Sequence, residues 1–195
     1  MLKNRMTKCG AAIVMLLISA CASTPPTNFY VLEALSQAQA QLTHTVKKRQ
    51  VGIGPITIPT LLERKQIVTR SGNNSVQVAE FQQWAEPVKD KVAQVLTQNL
   101  SRLQPDTIFR TYPWSAYGTV NYRMIIDIVR LDTRPGKSAN LEATWAVMDE
   151  KTHTIVTNGQ SAIEHTLADV SYPATVSALS QLLSEFSQEL SLALP

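Results

Sequence analysis

Two stretches of the chain repeat their apolar residues at helical spacing, and most of the remainder alternates like strand. Val88, Val92, Val95, Leu96, Leu100 and Leu103 fall on one face, opposite Lys89, Asp90, Gln94 and Gln98. This spacing predicts an amphipathic helix that starts at Pro87 and ends before Pro105. After Tyr172-Pro173, the residues Leu179, Leu182, Leu183, Phe186, Leu190 and Ala193 repeat the pattern and predict a closing helix.

The strand signals surround these helices. Phe29 to Leu32 is a short β-type run, followed by a polar linker from Ser36 to Gln41. Between Arg49 and Ile58 the apolar parity switches at Gly54-Pro55, which suggests a bulge or an edge strand. Gln66–Arg70 and Ser75–Phe81 flank Ser71-Gly72-Asn73-Asn74, a hairpin signal. Thr107–Thr111 reads as a short strand and the aromatic-rich Tyr112–Gly118 as a loop. Val120–Leu131 is almost continuously apolar, which predicts a central strand buried on both faces. A turn at Arg134–Lys137 and alternation at Leu141, Ala143, Trp145 and Val147 predict an antiparallel return. Thr154–His165 adds a last strand, broken at Asn158-Gly159. The fold class expected is α+β: a two-layer domain with a mostly antiparallel or mixed sheet and two amphipathic helices packed on it.

The amino terminus follows a different logic. Lys3, Arg5 and Lys8 precede an apolar run from Ala11 to Ile18, and Ser19-Ala20 leads into Cys21. The run is shorter than the ~20 apolar residues of a membrane span. Its basic start and small residues fit a signal peptide over 1–20, cut between Ala20 and Cys21. A cysteine at the cut is a thiol nucleophile positioned for acylation, so Cys21 is expected to carry lipid. Several acyl chains, at ~0.8 kcal/mol per buried methylene, make such an anchor stable. Residues 21–28 then form a tether in which Pro25-Pro26 disfavours helix. At ~3.3–3.6 Å per residue it reaches no more than roughly 25 Å. Residues 29–195 are expected to form one domain. Ala22 after the cysteine, in place of an aspartate retention signal, favours the outer membrane, with the domain facing the periplasm.

Charge and cysteine usage narrow the partners. Three of the 18 Lys and Arg residues and none of the 15 Asp and Glu precede Cys21, so the mature part carries 15 of each. A neutral domain gives no reason to expect nucleic acid. Cys9 leaves with the leader and Cys21 is committed to lipid, so neither a disulfide nor a cysteine metal site is expected.

The motifs of catalysis are missing. No G-x-S-x-G, H-E-x-x-H or phosphate loop occurs; Gly52-Ile53-Gly54-Pro55 lacks the later glycine and the helix. His44, His153 and His165 stand outside any recognisable motif and read as surface residues. Asp127, inside the apolar strand, must pair or protonate if buried, and reads as part of a functional cleft or, more readily, as satisfied by Arg123, by Arg130 or by an edge position. Trp84 precedes the first long helix and reads as a core staple more readily than a binding aromatic. Phe109, Tyr112, Trp114 and Tyr117 form an aromatic cluster, open to packing, to a partner or to a lipid headgroup zone.

The ordered motifs resemble a known family. After the lipoprotein signal come Phe29-Tyr30-Val31-Leu32, Val51-Gly52-Ile53-Gly54-Pro55-Ile56-Thr57-Ile58-Pro59, Leu61-Leu62-Glu63-Arg64, Gln66-Ile67-Val68-Thr69-Arg70 and Glu80-Phe81-Gln82-Gln83-Trp84-Ala85-Glu86-Pro87. Together they resemble the ABC-type transport auxiliary lipoproteins of the PqiC-like kind. The resemblance implies a non-enzymatic outer-membrane lipoprotein that docks a periplasmic MCE-domain transport protein of the PqiB kind and supports intermembrane lipid transport. It implies no cofactor, metal or catalytic residue. Arg64, Gln66, Arg70 and Trp84 would then hold the fold or face the partner, and Trp114 joins them as a candidate contact. A homo-oligomer is expected, because a ring-shaped partner favours a symmetric receptor. A competing expectation is that the domain itself holds lipid in an apolar cleft between sheet and helices. A hydrolase would need its histidines to converge.

Overall fold

The computed structural model describes residues 25–36 and 49–195. Cys21, the signal and cleavage positions including Ala20, most of the polar linker and His44 lie outside the described residues. Among the described residues eight strands and two long helices follow in order: β1 (Asn28–Tyr30), β2 (Arg49–Thr57), β3 (Gln66–Arg70), β4 (Val76–Trp84), α1 (Val88–Leu103), β5 (Thr107–Thr111), β6 (Tyr122–Arg134), β7 (Ser138–Asp149), β8 (Thr154–Thr166) and α2 (Tyr172–Leu192). The α+β class and both helices are as the periodicity predicts.

The strands form two sheets. The larger has the order β5-β2-β6-β7-β8 and the smaller the order β1-β4-β3. In the large sheet β2 pairs in parallel with both β5 and β6, while β6, β7 and β8 form an antiparallel meander. Thus β6 is central, as its composition predicts. In the small sheet β1 runs parallel to β4, and β3 and β4 make the expected hairpin.

Both helices cover the same face of the large sheet. Val92, Val95, Leu96 and Leu100 of α1 are buried, as are Leu179, Leu182, Leu183, Phe186 and Leu190 of α2. They pack on Val51, Ile53, Met124, Ile126, Ile128, Leu141 and Val147 from the strands. Each such side chain contributes ~1.5–3 kcal/mol when fully buried. One polar residue joins them: Asn99 accepts from the Leu35 amide at 2.7 Å and donates to Ser187 Oγ at 3.2 Å. It ties the amino-terminal segment to both helices. Ser171 caps α2 by accepting from the Ala174 amide at 3.3 Å, with Pro173 in the first turn.

Three expectations require correction. The apolar run of β6 is buried on one face only: Met124, Ile126 and Ile128 point to the helices, whereas Asp127 and Val129 are exposed. Composition misleads here because the opposite face of the sheet has no helical layer. Asp127 accordingly pairs with neither arginine and accepts a hydrogen bond from the Thr57 hydroxyl across the β2–β6 pair. Second, of the bulge and the edge strand left open for β2, the edge is ruled out, since β5 pairs along its outer side, and the bulge is what the structure has. The irregularity at Gly54-Pro55 is real, with a cis peptide bond and a register shift between Ile53 and Ile56. Third, β8 runs unbroken through Asn158-Gly159. Gly159 lies under the Trp145 ring, and a Cβ there would sit 2.4 Å from it. This glycine makes room for a ring within a strand and does not end one.

Candidate functional site

The large sheet has two ends with different chemistry. At one, β6 meets β7 through Arg134–Ser138, and α2 begins; Tyr30 of β1 lies 6.4 Å from Tyr172 there, so the amino-terminal segment enters at this end, called the tether end after the role expected of residues 21–28. At the other, β6 starts, β7 turns into β8, and the 112–121 loop folds back over the face that the helices leave open. The 13 residues of β6 separate them by roughly 40 Å, at ~3.3 Å per residue.

A groove of about 1200 Å³ lies at the end away from the tether. Its walls are the 112–123 segment and the 149–153 turn. Trp114 is seated on Gly52, where a Cβ would come within 2.7 Å of the indole, and a Cβ on Gly54 would meet Tyr112 at the same distance. Two glycines in β2 are therefore the floor on which the aromatic loop rests, Gly54 also holding a φ of +123° that other residues rarely adopt. Tyr112 and Trp114 meet edge to face at 5.3 Å, and the Arg110 guanidinium lies 4.4 Å above the Tyr117 ring. Arg123 pairs with Glu150 at 3.0 Å on the groove wall. Tyr112 and Tyr117 are 55% and 63% exposed, which leaves flat aromatic surface held rigidly at the rim. Phe109 is buried in the core and is no part of that surface. Sequence alone left this cluster open between packing and binding, and the structure divides it.

The other candidates separate. Trp84 packs against the core and also lines a cavity of about 610 Å³ between the small sheet and the start of α1, together with Arg64 and the exposed Phe29. Gln66, at the start of β3, pairs in register with Gln83, another lining residue. Arg70 lies at the far end of β3 in an ion cluster. It donates to Asp132, which also receives Arg130 Nε at 2.8 Å, and Arg130 reaches Glu142 at 3.0 Å. Burial raises the Asp132 pKa, but the hydrogen bonds from Arg130 and Arg70 outweigh it and hold the carboxyl below its ordinary value. The Asp132 hydrogen bond likewise raises the Arg130 pKa further, so the Arg130–Asp132 pair is ionised at neutral pH. Sequence reasoning missed Asp132. The signal available was Arg130 and Asp132 two apart, hence on one face of a strand.

His153 precedes β8 and His165 lies near its end, where it meets Glu185 at 2.9 Å. These two histidines do not converge. Among the described residues no group of three or more His, Cys, Asp or Glu is placed to hold a metal, and no helix is long and apolar enough to cross a membrane.

The model of the ABC-type transport auxiliary lipoprotein component matches residues 30–191. The chain belongs to this family. Structural likeness bears on the fold. A crystal structure of an uncharacterized protein superposes with a TM-score of 0.72 at 15% identity, covering 86% of this chain and 98% of that one. Protein XCC0632 from Xanthomonas campestris, assigned to family DUF330, superposes at 0.67 and 14% identity, covering 85% and 93%. At such identity these two share the fold. Among curated proteins none matches the sequence. As an auxiliary lipoprotein, the chain is a transport component of a family not known for enzymes.

Proposed function

We propose that this protein is an outer-membrane lipoprotein, anchored through Cys21 and facing the periplasm, that docks the MCE-domain protein of an intermembrane lipid transport system. In this reading residues 1–20 are removed, 21–28 form the tether, 29–195 act as one unit, and no reaction is catalysed. The observation that carries the docking surface is the groove at the end of the large sheet opposite the tether, with Tyr112 and Trp114 seated on the glycines of β2 and Tyr117 beside it against Arg110 of β5. Rigid aromatic rings beside arginines are the composition of interface hot spots. A surface turned away from the anchor is also the one a periplasmic partner reaches. An assembly of several copies would present a ring of such grooves to a symmetric partner.

A photo-reactive residue at Tyr117, in full-length lipoprotein in native membranes, tests this. Crosslinks to an MCE-domain protein are expected from Tyr117 and not from Arg64. Crosslinks from Arg64 alone, or to no transport protein from either site, would overturn it.

A second reading is favoured by the cavity beside Trp84. Its volume of about 610 Å³ is within the ~300–1,000 Å³ of small-molecule sites, and it lies next to the tether. A lipid held by the domain itself would lie there, because the interface between the large sheet and the helices is filled by core side chains. Co-purifying lipid that is lost in Trp84→Ala, while the fold is retained, would favour this reading.

A further inference from the structure

At the tether end of the large sheet, the β3–β4 and β6–β7 turns enclose a cleft of about 280 Å³ lined by Arg70, Arg134, Lys137 and the 71–73 turn. Three cations and no carboxylate line it. Arg134 Nη2 donates to Asn73 Oδ1 at 3.3 Å, and Arg70 Nη1 donates to the Asn73 carbonyl at 3.3 Å, so one turn residue aligns two guanidiniums. Asp132, just behind, is already held by Arg70 and Arg130. Arg134 Nε is buried with no acceptor, and Lys137 has no acidic partner among the described residues. A buried guanidinium N–H without an acceptor is an unfilled half of a hydrogen bond.

We propose that this cleft binds a phosphate group, supplied by the headgroup of a phospholipid in the leaflet that holds Cys21. A guanidinium fork and a neighbouring ammonium match the tetrahedral oxygens of phosphate and give charge-assisted hydrogen bonds. Arg134, a lining residue whose Nε has no acceptor among the described residues, supplies the guanidinium. Position selects the headgroup as the source. The Leu167 amide bonds the Lys137 carbonyl at 2.9 Å, joining the cleft to the segment that leads into α2, where Tyr30 brings in the tether. A tether of at most roughly 25 Å holds this end close to the leaflet. The choice of headgroup rests on the anchored-lipoprotein reading; the phosphate chemistry does not.

The test uses the full-length lipoprotein in dodecyl maltoside, a phosphate-free detergent. Inorganic phosphate, dihexanoyl phosphatidylglycerol and a hexaglutamate peptide are titrated in turn by calorimetry, and the Arg134 side-chain N–H is followed by NMR. The expected result is a saturable shift of the Arg134 signal, with the short-chain lipid binding at least tenfold more tightly than phosphate. Arg134→Gln and Lys137→Ala should each weaken it at least tenfold, and Arg102→Gln, exposed near the end of α1, should leave it unchanged. Equal affinity for phosphate and lipid, lost in both cleft variants, would overturn the headgroup source. Tighter binding of the acidic peptide, or binding insensitive to both variants, would overturn the proposal. No transporter partner is present, so failure here is separate from failure of the docking reading.

Discussion

The two ends of the large sheet are built by opposite means. At the tether end charged side chains set the geometry: Asp132 gathers Arg70 and Arg130, and Arg130 extends to Glu142. At the groove end shape sets it, through rings lying on glycines that could not be any other residue without moving them. A charge cluster depends on pH and on the ionisation of every member, and it leaves nearby cations available to a soluble or membrane anion. Ring-on-glycine packing depends on shape and not on ion pairing, and in the proposed docking its surface would act through contact. The difference teaches that one sheet can carry a responsive end and a fixed end without a domain boundary between them.

The comparison breaks most severely if the shared core fails. Phe186→Ala removes a fully buried ring and should cost ~3–5 kcal/mol, lowering Tm and abolishing partner crosslinking and anion binding together. Loss of one function alone would mean that the ends do not share this core. Asp132→Asn should act at the tether end only, costing about 1.5–3 kcal/mol because two guanidiniums lose a charged acceptor. Its pH dependence has a fixed sign. The folded-state pKa of Asp132 is lowered, so its contribution is complete above the ordinary value of 3.8 and disappears as pH falls through the folded value. Denaturant titrations of both forms should therefore differ most near neutrality and converge in acid. Gly52→Ala should act at the groove end, displacing Trp114 at a cost of about 1–3 kcal/mol. A fall in Trp114 order with an unchanged Asp132 pKa would sharpen the contrast. Tyr117→Ala should change stability by no more than ~0.5 kcal/mol, since the ring is mostly exposed, yet reduce recovery of the transport partner.

How far the sequence reveals this arrangement depends on the range of each interaction. The helices are legible because Val88 to Leu100 and Leu179 to Leu190 repeat locally, and the β3–β4 hairpin because Ser71 to Asn74 names its own turn. The division into two sheets is not legible, because it depends on which distant strand lies beside β4. The same limit explains Val129, whose side chain is as apolar as its buried neighbours but faces the side with no helices. Within the candidate site, Trp114 and Tyr112 are visible as aromatics in a loop, while their seats at Gly52 and Gly54 are set by a fold-back of some sixty residues. Arg134 and Lys137 read only as parts of a turn. Their cleft is completed by Asn73, from a different hairpin.

The short strand β1 has a mechanical meaning for a domain held by its amino terminus. In the proposed anchored assembly any pull between membrane and partner would enter the fold at Asn28, and β1 lies parallel to β4 in register from Asn28 with Gln82 to Tyr30 with Trp84. A load along that direction shears the pairing, so its hydrogen bonds resist together and do not open one at a time. Behind it stand two clasps: the Glu33 amide donating to Ser180 Oγ at 3.1 Å and the Leu35 amide donating to Asn99 Oδ1 at 2.7 Å. Each passes the force to a different long helix, so tension on the anchor is shared across the core before any strand can peel.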